Sequence, residues 1–161
     1  VSDAELLRAY GETEWTITLP DARELRLRLP PAPPPDPALF GAAIITAHNP
    51  ASRLHAAADN QAADLALRAH LAALHAQDPE QVHIHPALAH GTGEHAAEWD
   101  EPGYAVVGIP RCTAVALGEE FEQNAIVWID AAGRATLVVT RSGFCGCPTG
   151  EALHPSPAAS L

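Results

Sequence analysis

No lysine occurs among the 161 residues: all nine basic side chains are arginines, set against twenty acidic ones for a formal net charge of −11. The absence excludes a Schiff-base lysine, a P-loop lysine and a lysine general base. The acidic balance argues against nucleic acid or an anionic membrane as a partner, because counterion release needs a basic face. Methionine is also absent and aromatic residues make up only 5%, although 47% of the chain is apolar, so alanine, leucine and valine must fill the core. Three cysteines are too few and too odd for a disulfide framework, and they match a reducing compartment. No apolar run approaches the roughly 18 residues of a membrane span, and Val1 to Glu5 has neither the basic nor the hydrophobic region of a signal peptide. The cytoplasm is the expected location. The length suits one core, with a single domain expected over residues 1–140 and a mobile C-terminal tail over 141–161, where periodicity ends.

The hydrophobic pattern predicts an α/β (α+β) fold: a mixed sheet of about six strands, two main helices packed on it and a C-terminal β-hairpin. Ser2 and Glu5 have capping-box spacing ahead of a short helix ending at Gly11. Trp15 to Leu19 and Leu25 to Leu29 alternate as antiparallel strands around the Pro20-Asp21 turn. Pro30 to Pro37 reads as a stiff connector. Gly41 to Ala47 is a continuous apolar run, as in a strand covered on both faces, and Leu54 to Ala76 forms the principal helix. Val82 to His85 and Tyr104 to Ile109 are strand candidates separated by a long His-rich loop, Pro86 to Pro102. A short helix capped by Thr113 follows, and strands at 125–129 and 136–139 close a hairpin around Asp130-Ala131-Ala132-Gly133.

Polar residues gather where the central strand gives way to the principal helix. Thr46, His48 and Asn49 stand at that turn, where open sheets collect ligands, and the amides opening the helix favour a carbonyl oxygen or an anion. Arg53 is the nearest fixed positive charge. Gln123 and Asn124, between the last helix and its strand, could reach the same region or lie at the other end of the sheet. Each also has a purely structural reading: Asn49 as a turn former before Pro50, Asn60 as a buried amide satisfying a loop, and Gln123-Asn124 as a helix terminus with asparagine in the left-handed region. The catalytic candidates are His48, the one group here that titrates near neutrality, and Glu101 as its complementary carboxylate.

Ile45-Thr46-Ala47-His48-Asn49-Pro50 and Phe121-Glu122-Gln123-Asn124-Ala125-Ile126 resemble the I-T-A-x-N-P turn and F-x-Q-N-A-I segment of the bacterial domain of unknown function 3293 family. Tyr10 and Thr13 match its Y-x-x-T element, Asn60 an asparagine of its main helix, and Trp99 with Glu101 its W-x-E stretch. The resemblance runs from about Tyr10 to Val139. It implies no activity, substrate or cofactor, and His48 occupies the variable position of its motif. The long His-rich loop and the cysteine-bearing end depart from the family and inherit nothing from it.

Three functions stay open. The first is a polar pocket built from Thr46, Asn49, Arg53, Asn60, Gln123 and Asn124 that binds a small polar molecule, neutral or modestly charged, and acts on it if His48 or Glu101 is placed for proton transfer. The second is an interaction or regulatory module with a protein partner, in which the motifs are structural. The third is metal binding through the His-rich segment. His83 and His85 would share one face of a strand, with His90, His95, Cys145 and Cys147 further along, but the spacing is not that of a structural zinc site. No cofactor is expected.

Overall fold

The computed structural model describes residues 2–92 and 100–155. Three helices and eight strands follow one another as α1 (Asp3–Gly11), β1 (Thr13–Thr18), β2 (Glu24–Arg28), β3 (Ala42–Ile45), α2 (Ala57–Gln77), β4 (His83–Gly91), β5 (Asp100–Val107), α3 (Arg111–Glu120), β6 (Ala125–Ile129), β7 (Ala135–Val139) and β8 (Ala152–Leu153). The strands form one sheet in the order β2-β1-β4-β5-β3-β6-β7-β8, and every neighbouring pair is antiparallel. The α+β class is as expected. The sheet differs in being wholly antiparallel and in having eight strands where about six were expected.

The centre of the sheet explains how helices and antiparallel strands combine. The segment β3-α2-β4-β5-α3-β6 lies in the spatial order β4-β5-β3-β6, which is the connectivity of a split β-α-β unit. Each helix carries the chain over one intervening strand, so both lie on the same face. There Leu67 and Leu71 of α2 and Ala114, Val115 and Leu117 of α3 pack on Ile45, Val106, Ile126 and Val138. Gly118 lets α3 come close: a Cβ at that position would stand 2.5 Å from Thr140 Cγ2. The β1-β2 hairpin extends the unit at one edge, and β7 and β8 extend it at the other.

The opposite face carries a second core of Trp15, Ile17, Leu27, Ile44, Val127, Leu137 and Phe144. It is covered by α1, whose capping box is formed: Ser2 Oγ accepts from the Glu5 amide at 3.2 Å, and the Ser2 amide donates to Glu5 Oε2 at 2.7 Å. The proline-rich connector between β2 and β3 passes three intervening strands, roughly 19 Å at the usual strand spacing. The stiff proline-rich segment makes that crossing, and Leu29 and Leu39 at its ends are buried in the same core.

Two sequence expectations are corrected here. Much of the expected loop from Pro86 to Pro102 is strand, because β4 continues through Gly91 and β5 starts at Asp100. The prolines are tolerated where their strands have a single neighbour: pairing of β4 with β1 stops at Ala87, and pairing of β5 with β3 starts at Tyr104. His95 and Trp99 lie outside the described residues. The expected tail is folded onto the domain as far as Pro155: Phe144 is fully buried, β8 pairs with β7, and the Cys145 amide donates to Asp3 Oδ2 at 2.7 Å. The hydrophobic period vanishes after Arg141 because this stretch is held by one aromatic anchor and by turns rather than by a repeating face.

Candidate functional site

A cavity of about 420 Å³ lies between α1 and the sheet face beneath it. Its cause is side-chain size. Across the sheet, Trp15 stands beside Ala89 and Ala89 beside Glu101, while Ile17, Ala87 and Gly103 form the next row. Alanine and glycine in the middle of these rows leave space that larger side chains would fill, and Ala125 on β6 continues it. Gly103 cannot be larger, since a Cβ there would stand 2.6 Å from the Ile45 carbonyl oxygen. Leu6, Ala9 and Tyr10 of α1 form the roof, and Glu5, Arg8 and Glu12 also contribute to the lining.

The polar groups are concentrated at the end where β3 leaves the sheet. Asn49 Nδ2 donates to Glu101 Oε1 at 2.8 Å. Asn49 is itself held by Asn60, whose Oδ1 accepts the Asn49 amide at 2.9 Å and whose Nδ2 donates to Asn49 Oδ1 at 3.0 Å. The Thr46 hydroxyl donates to the Pro102 carbonyl at 2.7 Å and accepts the His48 amide at 3.0 Å, tying the turn to β5. Gln123 Nε2 donates to the carbonyls of His48 and Phe121, and the Ala51 amide donates to the Glu122 carbonyl at 2.7 Å. The two motif segments therefore meet at one end of the sheet.

Burial raises the pKa of the Glu101 carboxyl from its ordinary value, and the hydrogen bond from Asn49 opposes that only in part. Burial, followed by the nearby charge of Glu101, holds the Tyr10 phenol well above its ordinary pKa, and its hydroxyl lies close to Ser52 and to the Ala125 amide. A buried acid whose pKa is raised on folding has a definite effect on stability. The folded chain binds the proton more tightly than the unfolded chain, so its contribution is most favourable at low pH and is lost as pH rises from the ordinary glutamate value through the raised one. Glu101→Gln keeps an oxygen for Asn49 and removes the charge. It should raise the melting temperature at neutral pH, with the gain fading as the pH falls into the range where the native carboxyl takes up its proton. Thermal melts of both chains across that range check this, and a difference independent of pH would show that Glu101 is not desolvated.

Of the residues singled out from the sequence, Thr46, Asn49, Glu101 and Gln123 line the cavity. Asn60 stands behind Asn49 and contributes through it. Asn124 is buried beside the cavity, donating to Ser52 Oγ at 2.7 Å and accepting from Arg141 Nε. Arg53 is exposed and outside the lining, and His48 faces the site with its backbone carbonyl, its ring not being among the lining groups. The left-handed residue near the end of α3 is Glu122, not Asn124. His83 is exposed and His85 half-buried, two residues apart on β4, and among the described residues no three His, Cys, Asp or Glu side chains converge as metal ligands.

Sequence reasoning missed Tyr10, Trp15 and Ser52 as lining groups. Tyr10 had a signal, its match to the family's N-terminal element, but nothing local shows that α1 folds back over the sheet. The alternating alanines of β4 were also readable, had the segment been taken as a strand.

The fold and cavity define a class: a split β-α-β domain with a partly closed pocket, roofed by an added helix, that holds one half-buried carboxylate. The chain belongs to the family described as protein of unknown function (DUF3293), whose pattern matches residues 45–126, about half of the 161. That span runs from the end of β3 to the start of β6 and contains Asn49, Asn60, Glu101 and Gln123. No curated protein and no solved structure matches the chain. No described helix is long and apolar enough to cross a membrane.

Proposed function

We propose that the chain binds a small organic molecule in the cavity between α1 and the sheet, recognising its polar end with Asn49, Glu101 and Gln123 and its apolar part with Trp15, Ile44 and Val127. The observation that supports this reading most is the union of an unfilled space with a desolvated carboxylate opening into it. The volume falls within the range of ligand pockets, roughly 300–1,000 Å³, and such pockets combine apolar walls with a few convergent polar groups. A core designed only for stability would fill the space and leave no carboxylate there.

Glu101 is also the group in the cavity best suited to take or give a proton, its carboxyl being shifted towards neutrality by burial. Asn49 fixes its orientation, so any proton transfer would be directed along the oxygen that faces the cavity.

Ala89→Leu tests the site. The added side chain projects from β4 into the space beside Trp15 and Glu101, where it meets little protein, so the fold should survive with a change in stability below about 1.5 kcal/mol. A fragment screen on the unaltered chain, read by ligand-dependent melting temperature and by tryptophan fluorescence, supplies the molecules. Each should bind the Leu variant at least tenfold more weakly. Equal binding to both chains would place the site elsewhere.

A further inference from the structure

We propose that the occupant of this cavity is an organic cation, an amine or related nitrogen base, held by Glu101 as its counter-ion and by the side-chain oxygen of Gln123. The proposal rests on the pocket reading above and names the ligand class it would serve.

Gln123 is 6% exposed, and its amide nitrogen already donates to two backbone carbonyls, at 3.2 Å to His48 and 3.1 Å to Phe121. With the nitrogen so fixed, the oxygen is the remaining polar atom of that side chain, and among the described residues it has no hydrogen-bond donor. Glu101 accepts one hydrogen bond among the described residues, from Asn49 on Oε1, and a carboxylate has room for about four. Thr46 has already donated its hydroxyl hydrogen to Pro102. Asn49 Oδ1 is filled by Asn60 and by the His55 amide. Apart from the second Nδ2 hydrogen of Asn49, the vacant capacity of these groups is acceptor capacity, which calls for a ligand rich in N–H donors.

Charge points the same way. The lining holds Glu5, Glu12 and Glu101 against one arginine, Arg8, and among the described residues no basic side chain pairs with Glu101. Arg141, which reaches Asn124 beside the cavity, is also tied to Asp3 at 2.9 Å, and Arg53 is exposed and outside the lining. An anionic ligand would meet the negative charge of the half-buried Glu101, whereas a cation would supply a partner to a partly desolvated carboxylate that has none among the described residues. The aromatic groups fit this assignment, since Trp15 and Tyr10 offer ring surfaces to a cationic or aryl-bearing ligand.

Three probes of one shape test the proposal: benzylamine, benzyl alcohol and benzoate, titrated by calorimetry against the unaltered chain and against Glu101→Gln. Benzylamine should bind the unaltered chain at least tenfold more tightly than either of the others, and in Glu101→Gln its affinity should fall to that of the alcohol. If alcohol or benzoate equals the amine on the unaltered chain, the cation assignment is overturned, a result that needs no variant. An amine preference surviving in Glu101→Gln overturns Glu101 as the counter-ion. If no probe binds while fragments sensitive to Ala89→Leu do, the cation assignment falls and the pocket reading stands; if nothing binds at all, both fall.

Discussion

Phe144→Ala should destabilise the chain by about 3–5 kcal/mol, the usual result of deleting a fully buried phenylalanine. At this chain length that is a drop in melting temperature on the order of 10 °C. Phe144 lies in the segment with no readable period, yet its ring has no exposure, meets Tyr10 edge-on with centroids 6.3 Å apart, and carries the Arg141 guanidinium 5.4 Å above it. The loss should therefore extend beyond packing. Tyr10 would lose the partner that seats α1, and the Arg141 bridge between Asp3 and Asn124 would lose its platform. Truncation after Thr140 should cost at least as much, since it also removes β8. Denaturant unfolding measures both, and a change within about 0.5 kcal/mol of the unaltered chain would mean that residues beyond 140 are a dangling end after all.

The order of elements from α1 to β7 was legible because each has a strong local cause: the capping box at Ser2, the alternation at Trp15 and Leu25, the apolar run at Ile44, and the Asp130 turn, whose side chain accepts the amides of Ala132 and Arg134 at 2.9 Å. Sheet direction was not legible. Gly41 to Ala47 reads like a parallel strand because both its faces are covered, and an antiparallel strand between two packed layers has the same pattern. β8 is too short to show a period, and Phe144 is a lone aromatic among glycines. At the site, the turn after β3 announced Thr46 and Asn49, and Glu101 stood out beside a family motif. Their convergence depends on register between β4 and β5 and on α1 crossing the sheet, which no local pattern encodes.

Stability and site geometry meet at Asn60. Asn49, Ala51 and Ser52 all have left-handed backbone, with φ of 48°, 53° and 56°, and Glu122 opposite them has 53°. Asparagine accepts that conformation readily, but for alanine, serine and glutamate it costs roughly 1–2 kcal/mol each. The turn persists because the surroundings determine it: Asn60 grips Asn49 at both its amide and its side-chain oxygen, while Ala51 hydrogen-bonds to Glu122. Asn60→Leu keeps the volume in the first turn of α2 and removes both contacts, leaving the Asn49 amide without an acceptor. We expect a loss of about 2–4 kcal/mol, read by denaturant unfolding. Ligand affinity should fall as well, although Asn60 is not part of the cavity lining, because Asn49 would no longer hold Glu101 in place. A stability within about 0.5 kcal/mol of the unaltered chain would show that the turn holds its conformation without Asn60. Lost stability with undiminished binding would instead make the asparagine pair a structural clamp and leave Glu101 to orient itself.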